Sequence, residues 1–106
     1  MREGEKRELK EFVDKVKVIA PDAEIILFGS KARGDETFES DTDILILLKN
    51  LDEEIIKKIK DIRFDIEMKY GLIISLLIHS KKEWESFPYN ISEIQHFIKS
   101  EGVKLC

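Results

Sequence analysis

Two apolar runs, "EIILF" at 24–28 and "ILILL" at 44–48, are each long enough for a buried strand and too short for a helix. The stretch that joins them, "GSKARGDETFESDTD", is polar and bounded by glycines and aspartates. A chain that spaces two such runs so closely places a small sheet at its centre, and the polar stretch must turn at one edge of it. A third run, "LIISLLIHS" at 72–80, is nearly all apolar. That composition suits a strand that is central or covered on both faces.

The remaining apolar residues follow a helical period. Leu9, Phe12, Val13, Val16 and Ile19 form one stripe, which Pro21 and Asp22 bring to an end. Ile55, Ile59, Ile62 and Ile66 share a second helical face, with Asp52, Glu53 and Glu54 in the first turn, where the helix dipole favours acids, and Gly71 after the last. In the tail, "KKEWESFPYNISEIQHFIKSEGVKL" predicts a short helix, a break at Pro88 and a helix through Ile91, Ile94, Phe97 and Ile98. The order α-β-turn-β-α-β-α describes a single domain over residues 1–106. Its class is α/β or α+β, a small sheet of about three strands packed with helices.

Composition narrows what such a domain can do. At 106 residues the chain is long enough for one core and too short for a second substrate domain, so whatever it acts on is small or arrives with a partner. The formal net charge of −4 argues against general nucleic-acid binding, which needs a basic face that releases counterions. Cys106 is the only cysteine, so no internal disulfide forms and a reducing cytoplasm fits. No apolar stretch reaches the roughly 20 residues of a membrane span. The start of the sequence, "MREGEKRELK", is charged where a signal peptide would be apolar. The expected location is therefore cytoplasmic, with no membrane contact.

The joining stretch holds the chemistry. Strand alternation puts Asp41 and Asp43 on one side, followed there by Leu45 and Leu47, while Thr42, Ile44 and Ile46 point away. Two carboxylates side by side repel and call for a cation between them. Hard oxygen ligands suit Mg²⁺ or Mn²⁺, and Mg²⁺ is usually held by one or two carboxylates together with substrate phosphates, which points to a nucleoside triphosphate. Gly29 lets the backbone approach such a ligand, and Ser30 offers an N–H and a hydroxyl at an expected helix start. Lys31 and Arg33 add positive charge.

The pattern "FGSKARGDETFESDTDILILL", Gly-Ser followed after ten residues by Asp-x-Asp and then hydrophobics, resembles the signature of the minimal nucleotidyltransferases of the DNA polymerase β superfamily. The likeness extends over most of the chain, the closing "HFIKSEGVKLC" included. It implies a mixed sheet, ATP or another triphosphate as donor, and two divalent cations. Gly29 and Ser30 become the triphosphate-binding turn, and Asp41 and Asp43 the catalytic metal ligands. It also implies a protein acceptor: AMP moved from ATP to a hydroxyl of a HEPN-type toxin, with this chain as the antitoxin of the pair. Members with complete sites carry a third carboxylate on the following strand, in a place that Ser75 takes here. That departure opens an alternative, a weak or inactive nucleotide-binding subunit that neutralises its partner by binding alone.

The other polar and aromatic residues read as structural. Asp65 and Glu67 are expected on the solvated face of their helix, and Asp35 and Glu39 in the solvated loop. His79 is expected at a strand end, His96 on a helix surface, and Trp84, Phe87 and Tyr89 in a packed corner around Pro88. The sequence leaves oligomeric state open.

Overall fold

The computed structural model describes residues 3–29, 32, 41–86 and 88–106. Helix α1 (Glu3–Ile19) leads through the turn at Pro21 and Asp22 into strand β1 (Glu24–Phe28), and β2 (Thr42–Leu48) returns antiparallel to it. Helix α2 (Glu53–Tyr70) then crosses over to β3 (Ile74–Ser80), which lies parallel to β2. A short helix α3 (Lys81–Trp84), a 3-10 turn (Tyr89–Ile91) and helix α4 (Glu93–Glu101) complete the chain, with a two-residue strand β4 (Val103–Lys104) against β1. The sheet is mixed, in the order β3-β2-β1-β4.

Alternation along the strands divides the interior in two. Ile25 and Leu27 of β1, Ile44, Ile46 and Leu48 of β2 and Ile74 of β3 meet Leu9, Phe12, Val13 and Val16 of α1 and Ile59 and Ile66 of α2. On the opposite face Leu45 and Leu47 pack with Trp84 and Ile98, supported by Ile26, Phe28, Leu77 and Tyr89. The isoleucine stripe expected on α2 is this core contact, with Ile55 and Ile62 packed at its margin. Asp52 caps α2, its carboxylate accepting the N–H groups of Glu54 at 2.9 Å and Ile55 at 3.3 Å, and Gly71 closes the other end.

Two features differ from expectation, and one alternative is settled. Of the two placements expected for the third strand, the one that holds is cover on both faces: β3 lies at the sheet's edge. Its apolar composition reflects cover on both faces, since Leu76 and Ile78 pack into the larger cluster and Leu77 into the smaller. The fourth strand was not expected, because two residues are too few for a periodic signal. Gly102 allows it: a Cβ there would meet Ile98 O and, at 2.8 Å, Ile26 Cγ2. The chain therefore leaves α4 directly onto β1, where Leu105 N–H donates to Ile25 O at 2.7 Å. In α4 the buried residues are Gln95 and Ile98, while Ile94 and Phe97 are exposed. Gln95 replaces the expected apolar contact with a hydrogen bond from Nε2 to Trp84 O, 2.6 Å long.

Candidate active site

The site lies at the edge where β1 ends and β2 begins. Phe28 stands opposite Asp43, so Gly29 is the first residue past the end of the ladder. Its φ of 79° is in the left-handed region, which favours glycine. A second constraint coincides with the first: a Cβ on Gly29 would run into Asp43 Oδ2 and come within 3.2 Å of Asp43 Cγ. The glycine therefore leaves the room that the carboxylate of Asp43 uses. The Gly29 carbonyl accepts the Ala32 N–H at 3.1 Å. Ser30, Lys31 and Arg33, expected to bind nucleotide, lie outside the described residues, as do Asp35, Glu39 and Phe87.

Asp41 precedes β2 and is exposed, and Asp43 is half-buried. The residue between them is anchored: Thr42 is buried and its N–H donates to Ile73 O at 2.8 Å. The parallel register sets Asp43 beside Ser75, and Ser75 Oγ donates to Asp41 Oδ2 at 3.5 Å, the outer limit of such a bond. Gly29, Asp41, Asp43 and Ser75 thus converge at one edge, on the face that carries Leu45 and Leu77. Ser75 occupies the position beside the aspartates that alternation predicts. Among the described residues no three His, Cys, Asp or Glu side chains converge, so the acidic part of the site is the Asp-x-Asp pair. Two carboxylates and a neighbouring hydroxyl are hard oxygen donors, a set that fits Mg²⁺ or Mn²⁺ with phosphate oxygens completing the shell.

Glu67 departs from its expected place on a solvated face. Its Oε2 accepts the Ile74 N–H at 2.9 Å, and its other oxygen lies 3.8 Å from Arg63 Nε. It thereby fixes the start of β3 one residue before Ser75. The signal in the sequence is an acid in the last turn of a helix, where the dipole disfavours it and a compensating donor is needed. His79 and His96 lie away from the aspartates along the chain. His79, near the end of its strand, has Nδ1 2.7 Å from Glu83 Oε1, and its ring packs 5.3 Å from Trp84 and 4.7 Å from Tyr89, so it joins the packed corner expected of those two aromatics. His96 is exposed.

A mixed sheet that delivers a glycine turn and an Asp-x-Asp to one edge, with helices on both faces, defines a nucleotidyltransferase-like fold. Residues 7–103 match the nucleotidyltransferase domain family, and the chain belongs to it. A Methanocaldococcus jannaschii protein named as a putative protein adenylyltransferase is 39% identical over 92 residues, which cover 84% of this chain and 90% of that one. A second protein of that organism, named in the same way, is 40% identical over 81 residues, 74% of this chain and 77% of its own length. A crystal structure described as a toxin–antitoxin with AMP-PNP superposes with a TM-score of 0.63 at 17% identity, over 95% of this chain and 72% of that one. A putative nucleotidyltransferase from Sulfolobus solfataricus gives a TM-score of 0.55 at 23% identity, over 93% and 77%. These two likenesses are of fold. Among the described residues no helix is long and apolar enough to cross a membrane.

Proposed function

We propose that this chain is a metal-dependent adenylyltransferase that moves AMP from ATP to a hydroxyl of a partner protein, acting as the antitoxin of a HEPN-type toxin. The observation that carries the reading is the placement of Asp43 under Gly29 and beside Ser75, with Asp41 adjoining. The names of the Methanocaldococcus relatives support the donor and the protein acceptor, and the AMP-PNP of the toxin–antitoxin neighbour supports a triphosphate ligand.

In this reading Asp41 and Asp43 hold one or two Mg²⁺ or Mn²⁺ ions, and Gly29 and Ser30 cradle the triphosphate with charge from Lys31 and Arg33. The metal supplies charge neutralisation at the phosphates and lowers the cost of forming an alkoxide. The chain's own contribution is placement. Gly29 lets the turn approach Asp43, Thr42 anchors the strand between the two carboxylates, and Ser75 orients Asp41. The acceptor oxygen forms a bond to the α-phosphorus, the α–β bridging bond breaks, pyrophosphate leaves, and the hydroxyl proton passes to a base. Ser75 is a poor base, and loss of a positioned base typically costs ~10²–10⁴-fold in rate. The enzyme is therefore slow.

The same serine favours a second reading, a subunit that binds nucleotide and its partner without transfer. ATP labelled at the α-phosphate, Mg²⁺ and the product of the neighbouring gene, offered as the partner, separate the two. Label on the partner, absent with Asp43→Asn, is the expected result. A stable complex that never acquires label supports the binding subunit and rejects the enzyme.

A further inference from the structure

The sheet ends in β3, and the outer side of that strand is open among the described residues. Backbone groups of a strand point alternately to its two sides. Ile73 O accepts from Thr42, so Ile73, Ser75, Leu77 and His79 turn their backbones to β2, and Ile74, Leu76 and Ile78 turn theirs outward. The outward N–H of Ile74 is already taken by Glu67. The outward groups of Leu76 and Ile78 have no partner among the described residues. Natural proteins guard such edges with charge, proline or a bulge. Leu72 to Ser80 contains no charged residue and no proline, and Ile73 beside the strand is 61% exposed.

We propose that a second copy of this chain pairs antiparallel with β3 about a two-fold axis at Leu77, joining two sheets into one. The free groups select the register. An axis at Leu77 sets Leu76 against the second copy's Ile78 and Ile78 against its Leu76, as hydrogen-bonded pairs that use every free outward group of both residues. An axis at Leu76 would instead oppose Ile78 to an Ile74 whose N–H Glu67 holds. An axis at Ile78 would oppose Leu76 to Ser80, the N-cap of α3, whose carbonyl serves that helix.

Charge supports a copy of this chain as the occupant. Two molecules of net charge −4 repel over most of their surfaces, so they meet best where an uncharged edge has ends of opposite sign. The Leu77 axis brings the second copy's Ile73 to the start of α3, where Lys81 Nζ lies 3.7 Å from Glu24 Oε1 of its own chain. It also brings the exposed Lys82 to the end of β3 where that copy's Glu67 and Asp41 stand.

The pairing also reaches the site. Ser75 falls opposite the second copy's His79, and directly opposed side chains share a face with Cβ atoms about 5 Å apart. Each site thus gains an imidazole, already paired with Glu83, next to the serine that stands where a carboxylate is missing. This consequence rests on the proposed function; the dimer does not.

The test is solution mass by light scattering and sedimentation, without nucleotide. The expected species has twice the 12.4 kDa chain mass. Ile78→Pro deletes an outward N–H and leaves the ladder to β2 intact. Ile73→Lys sets a lysine, at a position already exposed, near the second copy's exposed Lys82, whereas Ile73→Glu offers that lysine a carboxylate. Both disruptive variants are expected to keep their circular dichroism and run as monomers, and Ile73→Glu to remain dimeric. If Ile78→Pro does not fold, the Ile73 pair decides. A monomeric parent at micromolar to millimolar concentration, or a dimer that survives Ile73→Lys, overturns the proposal. Failure of label transfer with the dimer intact would instead overturn the enzyme reading.

Discussion

Gly29 meets Asp43 from the end of β1, Ser75 meets both aspartates from β3 on the other side of β2, and they respond oppositely to substitution. At Gly29 any side chain meets a left-handed backbone and the Asp43 carboxylate together. Gly29→Ala is therefore expected to cost about 1–2 kcal/mol from the backbone alone. It should also displace Asp43, so that stabilisation by Mg²⁺ and ATP disappears while the fold remains; thermal melts with and without ligand check both parts. Ser75 is exposed, so a carboxylate there is not buried in the core. Ser75→Asp should lower the melting temperature in chelator, because three carboxylates then repel, and Mg²⁺ should restore more stability than it does for the parent. It should also speed AMP transfer, with Asp43→Asn as the inactive control. A folded variant no faster than the parent removes the missing-base account. The Asp-x-Asp geometry was legible because alternation along a strand is local. Glu67 was not, because its role depends on Ile74, which meets it only once α2 and β3 have packed.

At the scale of elements, period and capping made α1, β1, β2 and α2 readable, down to the isoleucine face of α2 and its closure at Gly71. The edge position of β3 was hidden because a strand covered on both faces reads as apolar whether or not it has two neighbours. Strand β4 escaped because pairing of two residues is a tertiary event. The contact between α1 and α2 yields a prediction about pH. The Tyr70 hydroxyl and then the Lys69 ammonium, whose Nζ lies 3.0 Å from Glu11 Oε1, hold the Glu11 carboxyl below its ordinary value of 4.5. The folded state thus prefers the carboxylate. That contribution is present above 4.5 and lost as pH falls through the lowered folded value. Lys69 is raised above 10.5, chiefly by Glu11, so its share is present below 10.5 and lost as pH rises through the raised value. Glu11→Gln should lower the melting temperature slightly at neutral pH, as suits an exposed pair, and the gap to the parent should close on acidification below 4.5. A gap that stays constant into acid would assign the effect to packing.

For the whole molecule, the site is set into a sheet with helices on both faces, and its two carboxylates stand on either side of Thr42 at the start of one strand. Among the described residues no third His, Cys, Asp or Glu joins the pair. Because that strand is paired on both sides, ligand binding at its end acts on global stability and not on a loop alone. A ligand that binds only the folded chain stabilises it by about 2.7 kcal/mol at a hundred times its Kd. In a domain of this size that corresponds to a melting temperature roughly 10 °C higher. Mg²⁺ with ATP should produce such a shift and ATP in chelator much less, because no divalent cation then bridges the phosphates and the two carboxylates. Asp41→Asn with Asp43→Asn should abolish the shift: the doubly substituted protein gains little from Mg²⁺ and ATP. A double variant stabilised by Mg²⁺ and ATP as much as the parent would place the metal and the triphosphate elsewhere on the chain.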